Sequence, residues 1–236
     1  MDGVVLINQS TLGAGGTYPV TSPGSYKLSG NLLAKNQDTD VIVIATDHVT
    51  IDLNGFAILG TTNCAARPCV NLGQGRGIAT SGTNPFFNIT VRNGTIQGMG
   101  SFGIYLNGDS ILVEYMHVRS NGLVGINITR PAAIQTNVIV QHNNVQLNQN
   151  DGIDVDGGLV SDNASSDNGF NGIFAGTATV TRNFVVRNFG AGIASVGRVQ
   201  FIGNVISGNS LAFNGGIFIN QGQNLCDGAP CPGAVI

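Results

Sequence analysis

Residues 140–159 read VQHNNVQLNQNDGIDVDGGL, residues 160–179 read VSDNASSDNGFNGIFAGTAT, and residues 180–199 read VTRNFVVRNFGAGIASVGRV. Set one above another, the three stretches match in phase. Each opens on a valine (Val140, Val160, Val180) and carries an asparagine three residues later (Asn143, Asn163, Asn183). Each then has a second asparagine (Asn148, Asn168, Asn188) and reaches a Gly-Ile pair at Gly152, Gly172 and Gly192. Self-similarity at a fixed period of this length marks a repeat architecture. Inside each unit, three short apolar patches alternate inward and outward with the period of a strand, and no stretch keeps a helical period. A unit this short cannot bury an inner face alone, whereas stacked units bury a continuous core. The expected fold is therefore all-β, a single-stranded right-handed parallel β-helix. It has about eight coils of roughly 20 residues with three short strands each, wound right-handed by the crossover rule.

The same phase extends outward. Gly-Ile recurs at Gly77, Gly103, Gly125 and Gly216, and apolar residues hold the two other strand positions at Val91, Val113 and Phe201 and at Ile96, Val118 and Ile206. The last coil is read as inserting three residues before Gly216. Asn204 continues the first asparagine column. In a stacked solenoid such columns superpose, and their amides can hydrogen-bond to each other and to the turn backbone. Two asparagine ladders are expected, one through Asn143, Asn163, Asn183 and Asn204 and one through Asn148, Asn168 and Asn188. Five glycosylation-type sequons (Asn8, Asn88, Asn93, Asn127, Asn163) follow mostly from this asparagine content, and Asn163 should be inaccessible. The expected organisation is an N-terminal cap with first strands (1–48), the β-helix (49–220) and a C-terminal cap (221–236), one domain in all, since an uncovered coil is a sticky edge.

Composition narrows the function. Charged residues make up 10% of the 236, hydrophobic residues 42%, and ten Lys and Arg leave a net charge of −3. The chain is too apolar for disorder and has no heptads. It lacks the basic stripe of a nucleic-acid binder and an apolar run long enough for membrane insertion. The four cysteines form two Cys-x4-Cys pairs, Cys64/Cys69 and Cys226/Cys231, in Gly/Pro/Asn-rich sequence. Local disulfides in an oxidising compartment are the natural reading. A zinc site is the weaker one, because no His lies nearby. The expectation is an extracellular or cell-surface monomer, with no signal peptide in this chain.

The stretch VTIDLNGFAILG (49–60), followed by repeated N…GI coils, resembles the right-handed parallel β-helix proteins of the pectate-lyase-like superfamily, over roughly residues 40–220. That resemblance implies the fold. It also implies a range of roles: polysaccharide lyases, polygalacturonases, uronate epimerases and phage tailspikes, most of them acting on or binding acidic polysaccharide. In such helices the substrate usually lies along the sheet that carries the Gly-Ile strand.

On that sheet the residue after each Ile should point outward: Ala79, Tyr105, Asn127, Asp154, Phe174, Ala194 and Phe218. One coil, NDGIDVDGG, clusters Asp151, Asp154 and Asp156. Such crowding is relieved by raised pKa values or by a bound cation, so Ca²⁺ is the one cofactor considered, and none is required. The turn before this coil, TRPAAIQT (129–136), should wall the acids, with Arg130 at its rim. Tyr105 and Phe174 offer rings for sugars, with Asn127, Asp154, Asp156 and Asn171 as polar contacts. DGID also resembles the Asn-x-Asp-Gly-Ile-Asp motif of polygalacturonases, with Asp151 at the catalytic position. The family's first Asn is Gln149 here, its double Asp is Asn171-Gly172, and its His-Gly is Ala191-Gly192, so the acid/base couple for hydrolysis is missing. In a lyase, Asp151, Asp154 and Asp156 would hold Ca²⁺ and Arg130 or Tyr105 would serve as base. Against both stands a structural reading: Asp before Gly-Ile suits a tight turn, and Asp154 and Asp156 make a solvated face. His48, His117 and His142 do not converge with the acids. The leading expectation is a carbohydrate-binding or structural surface module without a complete catalytic set. A polysaccharide lyase is the alternative, and an adhesin- or tailspike-like scaffold the second.

Overall fold

The structure is a computed structural model and describes residues 3–129 and 137–235. Three parallel sheets run the length of the molecule, each built from one strand per coil. The Gly-Ile sheet pairs Ile42, Ile78, Ile104, Ile126, Ile153, Ile173 and Ile193 in one inward row. A second sheet pairs Tyr26, Ile51, Val91, Val113, Val140, Val160, Val180 and Phe201. A third pairs Ile58, Ile96, Val118, Val145, Ser165, Val185 and Ile206. Apart from Tyr26, at 6%, all of these are 0–1% exposed and together form the core. Each aliphatic side chain buried this way contributes about 1.5–3 kcal/mol, which a lone coil could not realise. Ser165 is the polar exception in its row, and its hydroxyl donates to the Gly172 carbonyl at 2.7 Å.

Both asparagine ladders form, and both run further than the repeat suggested. Asn143 donates its backbone N–H and its Nδ2 to Asn163 Oδ1, at 2.9 and 3.0 Å. The same double bond links Asn163 to Asn183, Asn183 to Asn204, and Asn204 to Asn224. The second ladder begins a coil earlier, at Asn121, and ends at Asn209. The corners need these amides because the residue before each asparagine sits in the left-handed region, as at His142, Asp162 and Arg182 (φ 55°, 58° and 53°). That bend turns the backbone away from the sheet ladder, and the amide supplies the partners it loses.

The last coil departs from the expected register. The 20-residue spacing continues from Ile193 to Phe213, which pairs with it. Gly215 and Gly216, at φ 66° and 59°, form the following turn, so Ile217 starts a rung of the second sheet opposite Arg198. Phe218 therefore points inward. It is fully buried against Phe213 and Phe201, with ring centroids at 4.9 and 6.3 Å, and is not an outward residue of the Gly-Ile sheet.

The ends differ from the middle. Val5–Ile7 already pairs in parallel with Gly24–Leu28, and Tyr18–Val20 with Ile42–Ile44, so the chain is wound into coils from residue 5 onward. Counted along the second sheet, the described residues form ten rungs rather than about eight. At the C-terminal end, antiparallel pairs (Leu225–Cys226 with Ala229–Pro230, and Phe218–Ile219 with Ala234–Val235) close two of the three sheets. Both disulfides are local, Cys64–Cys69 and Cys226–Cys231. The first does more than lengthen a turn. Its loop lies across later coils, with the Cys69 N–H donating to Gln149 Oε1 at 2.9 Å and Arg67 Nη2 to the Asp167 carbonyl at 2.6 Å. The Arg67 guanidinium also sits 5.3 Å from the centre of the Phe189 ring. Among the described residues no helix is long and apolar enough to cross a membrane.

Candidate functional site

Strand alternation and parallel register together set one row on the outer face of the Gly-Ile sheet. Tyr105 pairs with Asn127, Asn127 with Asp154, and Asp154 with Phe174. Successive members are about 4.8 Å apart, so the two aromatic residues bracket an amide and an acid over roughly 14 Å. Tyr105, Asp154 and Phe174 are half-buried, while Asn127 lies deeper at 6% exposure. Asn127 Nδ2 donates to Asp154 Oδ2 at 2.9 Å. Asn127 Oδ1 is buried and accepts no hydrogen bond.

Asp154 is the most perturbed acid of this row. Burial, then the neighbouring charges of Asp151 and Asp156, push its pKa up to about 7, against the opposing pull of the Asn127 hydrogen bond. Its carboxyl group therefore exchanges its proton near neutrality.

Other members of the expected set play structural parts. Asp151 is buried, and its Oδ1 accepts the Asn171 N–H at 2.8 Å. Burial raises its pKa while the bonds from Asn171 lower it. Asn171 is 1% exposed and repeats the device, its Oδ1 accepting the Ala191 N–H at 3.0 Å. Both side chains answer to the turn before Gly-Ile, so Asn171 is not positioned as a sugar contact nor Asp151 as a free catalytic acid. Asp156 stays half-buried beside Asp154. Among the described residues no three His, Cys, Asp or Glu side chains are placed to hold a metal ion. Arg130 and most of the turn 129–136 lie outside the described residues. Gln149, at the polygalacturonase Asn position, is taken up by the Cys69 N–H. His142 stacks on Tyr115 with ring centroids at 5.1 Å, away from the acids.

The sequence reading missed a feature beside Tyr105. Two residues before each Ile of the sheet stand Asp40 (before Ile42) and Arg76 (before Ile78), in adjacent rungs. Arg76 Nε donates to Asp40 Oδ1 at 3.0 Å and its Nη2 reaches Asp40 Oδ2, a two-pronged ion pair that raises the Arg76 pKa. The guanidinium lies 5.2 Å from the Tyr105 ring centre, and Phe102 packs on that ring at 5.0 Å. These side chains, with Asp38 and Gln74, line a cavity of about 420 Å³. A second hollow of about 350 Å³, bounded by Leu72 and Leu123, shares Gln74, Ser101 and Phe102 with it. Ile42 follows Val41 rather than a glycine, so the Gly-Ile pattern alone does not put Asp40 opposite Arg76.

Fold and face together define a right-handed parallel β-helix with a varied polar and aromatic row on one sheet and two cavities beside Tyr105 and Phe102. The chain belongs to the right-handed β-helix region family, whose model matches residues 20–186. No curated protein matches it. Among solved structures it is similar to the A-module of the mannuronan C-5 epimerase AlgE4 of Azotobacter vinelandii. The identity there is 16% and the TM-score 0.48, over 86% of this chain and 73% of that one.

Proposed function

We propose that this protein binds polysaccharide along the outer face of the Gly-Ile sheet, as an extracellular carbohydrate-binding β-helix. The observation that carries the reading is the row Tyr105, Asn127, Asp154 and Phe174, one residue per rung, running from the cavities beside Arg76. An extended chain lying along the helix axis meets a ring to stack on at each end and hydrogen-bonding groups between them. The two local disulfides support an oxidising compartment. The catalytic inventory is thin. Apart from the Tyr105 phenol, whose ring packs against Phe102 and Arg76, Asp154 has no second acid/base group in its row. A glycan array followed by titration calorimetry tests the reading. Phe174→Ala should weaken the best ligand at least tenfold while leaving the melting temperature within a few degrees. Absence of binding to every glycan, or binding indifferent to Phe174, rejects it.

One observation favours the enzyme alternative, namely a carboxyl group poised near pH 7 on this face. Such a group suits proton transfer at a uronate. An ultraviolet assay for unsaturated uronate on pectate and alginate, with and without Ca²⁺, decides it. Activity lost in Asp154→Asn supports the enzyme, and no product on either polymer removes it.

A further inference from the structure

Two hollows open side by side along the N-terminal half of the Gly-Ile sheet, and they differ in chemistry. The larger, about 420 Å³, is polar and aromatic, with Asp38, Asp40, Arg76 and Tyr105 in its wall. The other, about 350 Å³, is bounded by Leu72 and Leu123 over bare backbone at Gly100 and Gly122. A Cβ on Gly122 would lie 2.1 Å from the Gly100 carbonyl oxygen and 2.8 Å from Leu72 Cδ2, so the close stacking of the coils keeps this floor free of side chains. Leu72 is held at the rim by the end of the disulfide loop. The Thr62 hydroxyl donates to the Asn71 carbonyl at 2.6 Å, and the Gly73 N–H donates to the Gly100 carbonyl at 3.0 Å. An aliphatic side chain that is 49% exposed is thereby fixed beside a pocket.

Gln74, Ser101 and Phe102 belong to both hollows and form the seam between them. The Ser101 hydroxyl bonds to the Gln74 and Gly75 carbonyls, Asp38 Oδ1 accepts the Gln74 N–H, and Asp40 is paired with Arg76. The Gln74 carboxamide is different. It is exposed and makes no hydrogen bond among the described residues. A carboxamide presents an acceptor and a donor side by side, which complements the C=O and N–H of another amide. The hollow next to it suits a methyl group. A hydroxyl placed between Leu72 and Leu123 would lose water and find no partner on their side chains.

From these observations we infer that the double cavity is a subsite for an N-acetylamino sugar, its acetamido group bonded to the Gln74 carboxamide and its methyl group set between Leu72 and Leu123. This inference rests on the polysaccharide-binding face proposed above and names a substituent that its ligand carries. Tyr105 belongs both to the larger hollow and to the row that ends at Phe174, so a chain anchored by this unit continues along that row. A plain hexose leaves the leucine-lined hollow unfilled, and an amino sugar stripped of its acetyl group brings an ammonium to it.

Matched tetrasaccharides test it: β-1,4-linked N-acetylglucosamine, the same chain without its acetyl groups, and β-1,4-linked glucose, with a second set built on galactose. In titration calorimetry the acetylated member of at least one set should bind about tenfold more tightly than its two counterparts, as one buried methyl and one amide hydrogen bond together imply. Leu72→Ser and Gln74→Ala should each weaken that ligand about fivefold and, at exposed positions, barely move the melting temperature. Equal or tighter binding of any glycan that lacks the acetamido group overturns the inference, as does binding of the acetylated chain that ignores both variants. Phe174→Ala separates the subsite from the row. A ligand that needs Phe174 but neither Leu72 nor Gln74 overturns the inference and leaves the proposed face standing. An acetylated ligand that needs Leu72 and Gln74 but not Phe174 upholds the subsite and rejects the row. Failure of every chain to bind, with an array that is also blank, overturns both.

Discussion

The two asparagine-lined corners and the outer face of the Gly-Ile sheet are cut from the same coils, yet they obey opposite rules. At the corners one residue type returns coil after coil, buried, each amide bonded to the next. On the outer face the row runs Ala79, Tyr105, Asn127, Asp154, Phe174 and Ala194, and no residue type repeats in adjacent rungs. Repetition marks positions that answer to the backbone, which makes the same demand in every coil. Variation marks positions where the backbone demands nothing and a ligand can. Asp151 and Asn171 show how the rule sorts candidates. They lie beside the varied face, but each spends its Oδ1 on the N–H of the next coil, and so they belong with the corners.

The sharpest test lies where the two kinds of signal disagree. The Gly216-Ile217 pair marks a rung of the Gly-Ile sheet and would put Phe218 outside, whereas ladder spacing keeps the register to Phe213 and puts Phe218 inside. With Phe218 packed between Phe201 and Phe213, Phe218→Ala should cost about 3–5 kcal/mol in denaturant unfolding. A cost under about 0.5 kcal/mol, the usual value for a surface change, would restore the motif reading of the last coil.

On the varied face the largest effect should come from Asp154. Its pKa rises from 3.8 in the unfolded chain to about 7 in the fold, so the native state holds the extra proton between those values. Its contribution to stability is intact below about pH 4 and is lost as pH rises through 7. Asp151, also raised by burial, works in the same direction. Asp154→Asn keeps an acceptor for Asn127 and removes the buried charge. It should stabilise the protein at pH 8 by up to about 4 kcal/mol, at about 1.4 kcal/mol per pKa unit, and change little at pH 4. Equal shifts in melting temperature at the two pH values would show that Asp154 titrates normally.

The same substitution in the two regions isolates the comparison itself. Asn163→Ala takes the acceptor from the Asn143 N–H, the side-chain donor from the Val140 carbonyl, and one of two bonds from each of Asn143 Nδ2 and Asn183 Oδ1. Some regain partners by relaxation, and a cost of about 3 kcal/mol is expected. Asn127→Ala removes one exchangeable bond to Asp154 and an amide oxygen that was never satisfied, so its cost should stay under about 1 kcal/mol. If the two unfold alike, the division between backbone-serving and ligand-serving asparagines collapses.

How much of this was legible in the sequence follows the same division. Registers and ladders could be read because stacking forces equal residues into contact, so the period is visible without coordinates. Asn121, four residues before Gly125, obeyed that rule and could have been added. Asn224 and Asn209 could not, since the false Gly-Ile pair at 216 hid the phase of the last coil. The candidate site was legible only in part. Tyr105, Asn127, Asp154 and Phe174 fall out of strand alternation. The split of the acids into a turn acceptor (Asp151) and a perturbed surface acid (Asp154) depends on which backbone N–H comes within reach, and pattern does not carry that. The Arg76–Asp40 pair joins residues 36 apart across a coil lengthened by the disulfide loop, where the 20-residue period gives no guide.

That loop is also where the smallest effect should appear, because it belongs to neither region. It is an insertion, repeated nowhere, yet it reaches along the axis to Gln149 and Asp167 in coils that are otherwise regular. A disulfide closing so short a stretch stabilises by about 2 kcal/mol on chain-entropy grounds. If the loop only decorates a turn, Cys64→Ser/Cys69→Ser should lose that amount and no more, with amide exchange speeding up inside 61–72. If it straps the coils together, exchange should also quicken at the amides of the ladder coils beneath it, around Asn148 and Asn168, where Arg67 and Cys69 hold on. The contacts of Arg67 with the Asp167 carbonyl and the Phe189 ring favour the strap. Arg67→Ala, with the disulfide intact, should then reproduce the distant exchange but not the local one. Confinement of the change to 61–72 in both variants would reduce the loop to decoration and leave the sheets and ladders to tie those coils together.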